Sequence, residues 1–336
     1  MENQKFPLEE IVQRAAKALV AHNTEAGNAE TVARALVLAE ADGQKGHGLS
    51  RLPSYCAQAM SGKVDGQAKP RAKRTAAAAC RVDASHGFAY PALDLARNEL
   101  AELATRSGIA AAAVYNSHHC GVAGHHVEAL ARQGFLGLLF ANTPKAIAPW
   151  GGKEAVFGTN PVAFAAPRSA GREPLVIDLS LSKVARGKIM FADQEGRDIP
   201  GDWALDADGN PTTDPKSALE GTMLPMGDAK GAALVLMVEI LASVVTGAQG
   251  SFQASSFFTA EGAPPGVGQL LIACAPGPLS GNLYDQKMTS LVEAILSQEN
   301  TRLPGLRRFE LREQAQEHGL ELTPQQYEQL TSLGGE

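Results

Sequence analysis

An apolar strand, a glycine-containing turn and a helix follow one another over residues 109–133, and this unit constrains the fold more than any other part of the sequence. Residues 116–126 (Asn-Ser-His-His-Cys-Gly-Val-Ala-Gly-His-His) hold four of the chain's eight histidines. A strand that leads through such a turn into a helix presents backbone N–H groups and the positive end of the helix dipole to a phosphate. The chain contains neither G-x-G-x-x-G nor G-x-x-x-x-G-K-[ST], so a nucleotide would bind by another route.

Strands that alternate with helices predict an α/β fold with a mostly buried sheet. Strands are predicted at residues 79–82, 109–114, 135–141, 162–166, 175–179 and 269–274. Helices are predicted at residues 7–22, 28–42 (with Asn28 as N-cap), 91–106, 124–133, 230–246, 285–297 and 324–333. Residues 186–228 are rich in turn-forming residues and read as a long loop region, which in a compact domain is usually functional or an interface.

Composition excludes several classes of protein. With 336 residues and 44% apolar content, the chain can bury one large core or two smaller ones. Its net charge of −6 argues against the basic face that nucleic-acid binding requires. The apolar run 232–245 is interrupted by Glu239 and is too short to span a bilayer, and the first residues, 1–5, do not resemble an export signal. We therefore expect no nucleic-acid partner and no membrane partner.

The cysteines indicate the compartment. There are four of them, scattered along the chain without C-x-x-C spacing, at positions 56, 80, 120 and 274. This distribution is typical of reduced thiols, so a cytoplasmic location is expected.

The four clustered histidines allow three interpretations. Imidazole is the commonest metal-binding side chain, and His119 and His126 are seven residues apart, which is two helical turns. There is no H-E-x-x-H motif, however, and no nearby pair of cysteines or carboxylates completes a ligand shell. The sequence therefore favours a loop that flanks a cofactor or substrate and predicts no metal. A metal site and ordinary surface or core histidines remain as alternatives.

His47 and Arg51 form a second candidate site. A histidine titrates near neutrality and can exchange a proton with a developing alkoxide or amine. An arginine four residues later, one helical turn away, can hold a carboxylate with two hydrogen bonds. The alternative is a turn at the start of a helix with an incidental histidine, and spacing alone does not exclude it.

Three further segments are less specific. Residues 158–161 (Gly-Thr-Asn-Pro) could line a pocket or form an ordinary turn. Residues 226–231 place Lys230 at a helix start, where it could reach an anion or face solvent. Residues 206–210 are similar to a calcium loop but lack the third acidic position and the closing glutamate, which indicates a turn.

Nine motifs occur in consistent order over roughly residues 8–310. They are Gly46-His47-Gly48 with Arg51, Asn116-Ser117-His118, Ala148-Pro149-Trp150-Gly151-Gly152, Phe157-Gly158-Thr159-Asn160-Pro161, Gly187-Lys188-Ile189, Pro211-Thr212-Thr213-Asp214-Pro215, Leu224-Pro225-Met226-Gly227, Lys230-Gly231 and Arg302-Leu303-Pro304-Gly305. Together they resemble the malate/L-lactate dehydrogenase family that is unrelated to the Rossmann-fold lactate dehydrogenases. Each motif is weak alone, but nine in register are highly specific.

The resemblance implies an NAD(P)-dependent hydride transfer between a 2-hydroxy acid, or a 2-amino acid through an imine, and its 2-oxo form. It also implies a homodimer and an α/β fold whose non-Rossmann NAD(P)-binding sheet is covered by helices, with an N-terminal helical segment. The expected domains are an α/β cofactor-binding core at residues 76–283 and a helical unit in which residues 1–75 join C-terminal helices at 284–336. Whether the cofactor is NADP or NAD stays open.

The resemblance also implies roles for individual residues. His47 would be the proton donor to the substrate oxygen, Arg51 would hold the carboxylate, and Thr159 would contact the substrate. The cofactor would lie along His119, Cys120, Gly121, Val122, Ala123, Ile177, Asp178, Leu179, Asp228, Ala229, Arg302, Arg307 and Arg308.

The substrate class depends on Arg186, Gly187 and Lys188. Cyclic-imine reductases of the family look similar over residues 64–66 and 82–91. Some of them, however, place a serine before the acid histidine and an aspartate after the Arg/His-Gly pair, where this chain has Gly46 and Lys188. A lysine suits a second anion on the substrate better than it suits a protonated imine. We therefore rank 3-sulfolactate (oxidised to 3-sulfopyruvate) first, then malate and lactate, with Δ1-pyrroline-2-carboxylate and Δ1-piperideine-2-carboxylate reduction as the alternative. The competing interpretation is that Lys188 faces solvent or a cofactor phosphate.

Overall fold

The computed structural model describes residues 4–169 and 171–335. The strands are β1 (Gln4–Phe6), β2 (Arg71–Ala76), β3 (Ala79–Asp83), β4 (Ile109–Ser117), β5 (Leu136–Ala141), β6 (Val162–Ala166), β7 (Leu175–Leu179), β8 (Ala204–Leu205), β9 (Thr222–Met223), β10 (Val267–Cys274) and β11 (Leu320–Leu322). The helices are α1 (Leu8–Ala21), α2 (Ala26–Ala41), α3 (Leu52–Ser61), α4 (Ala89–Ser107), α5 (Ala123–Arg132), α6 (Arg186–Gln194), α7 (Pro215–Glu220), α8 (Asp228–Glu239), α9 (Pro276–Ser280), α10 (Tyr284–Leu296), α11 (Leu306–His318) and α12 (Pro324–Leu333).

Seven strands form one mixed sheet in the order β2-β3-β4-β10-β5-β6-β7. Only β3 and β4 run parallel, and every other neighbouring pair is antiparallel. The late strand β10 lies between β4 and β5, where Leu271 is opposite both Ala112 and Leu139. A strand with neighbours on both sides and helices over both faces is apolar along its length. This sheet confirms the predicted α/β class.

Helices cover the two faces of the sheet and bury separate cores. On one face, Leu93 and Leu100 of α4 and Leu130 of α5 are fully buried together with sheet residues. On the other face, Ile189 of α6 and Val235 of α8 are buried in a second cluster. The loop that carries the clustered histidines follows β4, which is the neighbour of β10, the middle strand of the sheet.

A third core joins the two ends of the chain. Strand β1 pairs antiparallel with β11, so that Gln4 lies opposite Leu322. Ile11 of α1 and Leu36 of α2 share a buried cluster with Leu330 of α12. The division of the chain into two domains stays a prediction.

The observed elements correct two sequence predictions and include elements that were not predicted. Helix α2 begins at Ala26 and not at Asn28, because the Glu25 side chain accepts the hydrogen bond from the Asn28 amide N–H and caps the helix. The Asn28 side chain instead donates to the carbonyl oxygens of Gly66 and Ala68. Strand β2 and helix α11 were not predicted. Residues 186–228 are not one long loop, since they contain α6, α7 and the β8–β9 pair.

Within the described residues, none of the helices combines the length and the apolar character that crossing a bilayer requires.

Candidate active site

The segment that carries His47 and Arg51 is attached to α2 by a buried carboxylate. It consists of two short 3-10 turns, Lys45–His47 and Leu49–Arg51, which lead into α3. The Leu49 N–H donates to Glu40 Oε2 at 3.0 Å. A Cβ atom at Gly48 would collide with that carboxylate and crowd the α2 backbone, so only glycine fits. His47 and Arg51 therefore lie in two successive 3-10 turns separated by Gly48, and not one turn apart on a single helix as the spacing predicted.

His47 is the outer end of a chain of four hydrogen-bonding rings. Its Nδ1 lies 3.2 Å from Nε2 of His119, and the two imidazoles stack with centroids 5.1 Å apart. The other ring nitrogen of His119, Nδ1, lies 2.7 Å from the Tyr55 hydroxyl. The Tyr55 and Tyr90 hydroxyls are 3.3 Å apart. His47 is half-buried, whereas the other three side chains are buried.

Burial controls the charge state of these rings. Burial, followed by the positive charges of Arg51 and His125, lowers the pKa of His47 to about 4. Burial and then Arg51 hold the pKa of His119 well below its usual value. Burial raises the pKa of Tyr55 to about 12. At neutral pH, both imidazoles are therefore neutral and the tyrosine keeps its proton.

Arg51 has hydrogen-bonding capacity left for a ligand. Its Nε donates to the Gly46 carbonyl at 2.7 Å, and the guanidinium lies 4.4 Å from the centroid of the Phe258 ring. Its Nη1 is buried and has no hydrogen-bond partner within the described residues. A buried guanidinium donor without an acceptor is costly, so the geometry favours binding of an anion beside His47.

The predicted cofactor residues meet at the start of α5. The Gly124 N–H donates to Asp178 Oδ2 at 2.7 Å, and a Cβ at Gly124 would lie 2.6 Å from Arg308 Nη1. Arg308 is buried, and its Nε has no partner within the described part of the chain. Gly121 has a φ of +67° and faces the Tyr90 ring, where a Cβ would not fit.

The remaining predicted cofactor residues lie near the start of α5 or are exposed on the surface. Cys120 and Val122 are buried, and so is Ala123, the first residue of α5. Ile177 and Leu179 flank Asp178 on β7. Arg302 is exposed before α11, and Arg307 is exposed in the first turn of α11. Asp228 and Ala229 are exposed at the start of α8. That start lies close to the end of β7, because the Met226 N–H donates to the Leu181 carbonyl.

Thr159 lies on a loop that is fixed by buried hydrogen bonds. Its N–H donates to Thr143 Oγ1 at 3.0 Å. The adjacent Asn160 side chain donates to Glu239 Oε2 at 2.7 Å, and Ser251 donates to the same carboxylate oxygen at 2.6 Å. The loop is thus held rigidly, which a substrate contact requires.

The three residues predicted to choose the substrate form the first turn of α6. Arg186 is half-buried and donates to the Leu219 carbonyl at 2.9 Å, while Gly187 and Lys188 are exposed. Gly187 and Lys188 border a cavity of about 410 Å³ that is also lined by Trp203. No hydrogen bond or ion pair in the described part of the chain links Lys188 to His47 or Arg51.

The four clustered histidines point to different partners. His118 Nε2 lies 2.8 Å from Gln58 Oε1, and His125 Nε2 lies 2.9 Å from Asp42 Oδ2. His126 lies between Arg97 and the Cys120 carbonyl. Among residues 4–169 and 171–335, no group of three or more histidine, cysteine or acidic side chains has the arrangement of a metal site.

Sequence reasoning missed Tyr55 and the aromatic loop that covers the histidines. Phe257 lies 5.1 Å from the His118 ring and 5.3 Å from the His119 ring, measured between centroids. Tyr55 could have been found, because it follows Arg51 by four residues at the start of a helix and so shares its face. Phe257 and Phe258 carry no such signal, since they follow a turn-rich segment distant in sequence.

Ion pairs missed by sequence reasoning connect α2, α5 and α11. Arg312 donates to Asp42 and to Glu128, with the shortest contact to each at 2.7 Å. Arg308 donates to Glu128, and His125 lies beside Asp42. Burial alone would raise the pKa of Asp42 and of Glu128, but the hydrogen bonds to Arg312 and the smaller effects of the other basic neighbours together outweigh it, so both pKa values lie below the usual range.

Comparison with known proteins identifies the family of the chain. The family model described as malate/L-lactate dehydrogenase matches residues 6–331. The chain is 51% identical over 310 residues to a (2R)-3-sulfolactate dehydrogenase (NADP(+)) of Chromohalobacter salexigens, with 92% of each chain covered. It is 42% identical over 318 residues to a Δ1-pyrroline-2-carboxylate/Δ1-piperideine-2-carboxylate reductase of Pseudomonas putida, again with 92% of each covered. The solved structure of a Δ1-piperideine-2-carboxylate reductase from Pseudomonas syringae superposes with a TM-score of 0.93 at 38% identity, covering 98% of this chain and 99% of that one.

Proposed function

This chain belongs to the malate/L-lactate dehydrogenase family, and on that premise we propose that it is an NAD(P)-dependent oxidoreductase that interconverts a small 2-hydroxy acid and its 2-oxo acid. The observation that carries the proposal is the buried Nη1 of Arg51, which has no partner among the described residues and lies in the 3-10 turn that follows the one of His47. An anion-binding donor beside a neutral imidazole is the minimal arrangement for orienting a hydroxy acid and moving its hydroxyl proton.

His47 exchanges the substrate proton. Its Nδ1 is engaged with His119, so Nε2 is the atom left to face the substrate oxygen. In the oxidation direction the neutral ring accepts the hydroxyl proton, and in the reduction direction the protonated ring returns it. Burial is the main cause of the low His47 pKa and the charge of Arg51 is the second. A carboxylate bound to Arg51 offsets that charge, so substrate binding raises the His47 pKa.

NAD(P) supplies or accepts the hydride when it is bound. The cleft that would hold it includes the start of α5, Asp178 and Arg308. The buried Nε of Arg308 without a partner, and the exposed guanidinium groups of Arg302 and Arg307, fit the negative charges of a dinucleotide. We favour NADP over NAD, because the relative that is 51% identical is named as an NADP(+) enzyme.

The preferred substrate pair is 3-sulfolactate and 3-sulfopyruvate, followed by malate and lactate. Support comes from the name of the same relative and from Lys188, a cation suited to a second anionic group. Cyclic-imine reduction is the second candidate, because relatives at 42% and 38% identity are named as such reductases.

A spectrophotometric panel tests both candidates. Sulfopyruvate, oxaloacetate, pyruvate and the two cyclic imines are each offered with NADPH and with NADH. The proposal expects the highest kcat/KM with sulfopyruvate and NADPH. Turnover of the imines alone would replace it with the second candidate, and no turnover of any compound would remove both.

Lys188 is tested by its effect on different substrates. Lys188→Ala is expected to raise the KM for sulfopyruvate about tenfold or more and to leave the KM for pyruvate nearly unchanged, because only the former has a second anion. Lys216→Ala, which removes another exposed lysine from the short helix α7, is the control. An equal change for both substrates would exclude a selective role for Lys188.

We also propose that the protein acts as a homodimer in the cytoplasm. Large apolar side chains are exposed on α8 and the turn after it, namely Leu234, Leu236, Met237, Ile240, Val244 and Val245. A contiguous apolar face of this kind is typical of a protein interface. The four free cysteines are compatible with a reducing compartment. Light scattering should give twice the chain mass, and Leu236→Glu combined with Val244→Glu should give monomers; a monomeric wild-type protein would contradict the proposal.

A further inference from the structure

We propose that Tyr55 is a positioning residue, whose hydroxyl oxygen fixes the proton of His119 on Nδ1 and thereby keeps Nε2 of His47 free to accept the substrate proton. This inference rests on the proposed role of His47 as the acid–base group. It assigns to Tyr55 and His119 a function in the proton transfer, in addition to any contact of His119 with the cofactor.

The hydrogen bonds permit only two proton arrangements. A ring nitrogen of neutral histidine either donates or accepts, and it cannot do both. His47 Nδ1 and His119 Nε2 are 3.2 Å apart, so one of these two atoms carries a proton and the other accepts it. Both rings are neutral at pH 7, since burial depresses the pKa of each.

Only one of the two arrangements lets His47 act as a base. Nε2 of His47 must be unprotonated to take a proton from a hydroxy acid, so the proton of the neutral ring must be on Nδ1. His119 Nε2 must then accept that proton, which leaves the single proton of His119 on its own Nδ1. That proton points to Tyr55 Oη, 2.7 Å away, and the oxygen must accept it.

The Tyr55 oxygen can accept the hydrogen bond from His119 because the Tyr55 O–H can donate to Tyr90. The two hydroxyls are 3.3 Å apart, so the Tyr55 O–H can turn to the Tyr90 oxygen while its own oxygen accepts from His119. In the opposite arrangement, Tyr55 donates to His119 Nδ1, His119 donates from Nε2, and His47 holds its proton on Nε2. That state cannot take a proton from the substrate. The acceptor function of Tyr55 is therefore what permits the reactive state.

Removal of the hydroxyl should eliminate this state. In Tyr55→Phe, a proton on His119 Nδ1 would be buried without an acceptor, which is costly. The His119 proton should move to Nε2 and the His47 proton should follow to its own Nε2. The ring contacts of residue 55 with Phe88 and His118, at 5.3 and 5.5 Å between centroids, are retained by phenylalanine.

The decisive experiment combines kinetics with the tautomer of His119. Protein labelled with ¹⁵N at histidine reports each ring tautomer through its ¹⁵N shifts and two-bond proton correlations, and His119→Gln identifies the signals. We expect the Nδ1–H form of His119 to be populated in the wild type and absent in Tyr55→Phe. We also expect kcat for hydroxy-acid oxidation to fall by about 10- to 100-fold, with KM within about twofold because Arg51 is unchanged.

Tyr284→Phe is the matched control, because it also removes a tyrosine hydroxyl that makes a hydrogen bond, to the Pro167 carbonyl at 3.0 Å, away from the histidines. It should leave kcat and the tautomer unchanged. The inference is overturned if wild-type His119 carries its proton only on Nε2, or if Tyr55→Phe changes neither tautomer nor kcat while the wild type turns over. If the wild type oxidises no 2-hydroxy acid with either cofactor, the proposed function fails instead, and the tautomer measurement on the free protein still decides where the protons lie.

Discussion

At the scale of single residues, Arg51 and a bound acid have opposite effects on the pKa of His47. Burial and then Arg51 lower the pKa of His47, which favours the neutral base in the empty site. An acid bound to Arg51 offsets that charge and favours the protonated ring, which is the product of the proton transfer. One arginine thus binds the substrate and adjusts the proton affinity of its neighbour.

The first prediction concerns His47 itself. His47→Gln should lower kcat by about 10²- to 10⁴-fold, the usual contribution of a positioned acid–base group. The affinity for NADPH, measured by fluorescence titration, should stay within a few-fold, because the cofactor residues lie at the start of α5. Retained turnover would show that the proton comes from another group.

The second prediction concerns the shape of Arg51. Arg51→Lys keeps the charge but loses the planar fork that holds a carboxylate with two hydrogen bonds, so the KM for the oxo acid should rise about 10- to 100-fold. Arg106→Lys, an exposed arginine of α4 paired with Glu102, is the control and should not change KM. An unchanged KM in Arg51→Lys would mean that the acid binds elsewhere.

At the scale of helices and strands, periodicity predicted the elements with strong apolar patterns. The strands at 162–166 and 175–179 have the predicted bounds, because apolar residues bounded by turns give a clear signal. Strand β2 was missed because all its residues are exposed at the sheet edge, so no buried face marks it. Helix α11 was missed because it is rich in charged residues, several of which form ion pairs that only the tertiary structure brings together.

The candidate site also contains contacts that the sequence does not predict. The four-residue spacing of His47 and Arg51 was visible in the sequence, but the structure places them in two successive 3-10 turns and not in one helical turn. The stacking of His47 on His119 joins residues 72 positions apart and depends on how α2 packs against the β4–α5 loop. Neither composition nor periodicity contains that information, so the sequence assigned His119 to the cofactor only through family resemblance.

The third prediction tests the ion pairs between α2, α5 and α11. Arg312→Leu should lower the free energy of unfolding by about 3–5 kcal/mol, because Asp42 and Glu128 would remain buried without their shared cation. Arg34 also bridges two carboxylates, those of Glu9 and Glu30, but its side chain is 52% exposed. Arg34→Leu is therefore the control, with an expected loss of less than about 1 kcal/mol. If urea unfolding gives the same loss of unfolding free energy for Arg312→Leu and Arg34→Leu, burial does not cause the difference.

At the scale of the whole molecule, the sheet, the helical core at the chain ends and the loop before β10 meet around the histidines. His118 and His119 leave the sheet, Tyr55 comes from the helical core at the chain ends, and Phe257 comes from the loop before β10. The site therefore exists only when all three parts are folded together. Because the histidines lie at this junction, their protonation should affect the stability of the whole protein.

The last prediction is that stability falls steeply as the pH drops below about 6.5. Burial is the main cause that lowers the pKa of His47 to about 4 and the pKa of His118 and His126 to about 3. In the unfolded chain, histidines titrate near 6.5, so between these values the unfolded state binds protons that the native state does not. Each histidine then contributes up to about 1.4 kcal/mol of lost stability per pH unit.

Asp42 and Glu128 change the stability in the same direction as the histidines, but in a lower pH window. Their folded pKa values are depressed, so their contribution is complete above the unfolded pKa near 4 and is lost only below it. Between pH 7 and 5 the histidines should therefore dominate. Urea unfolding at fixed protein concentration at pH 7, 6 and 5 measures the slope. His126→Gln should reduce that slope by up to about 1.4 kcal/mol per pH unit. The control is His318→Gln at an exposed position, which should leave the slope unchanged. A stability that does not change with pH in the wild type would contradict the buried, neutral state of these rings.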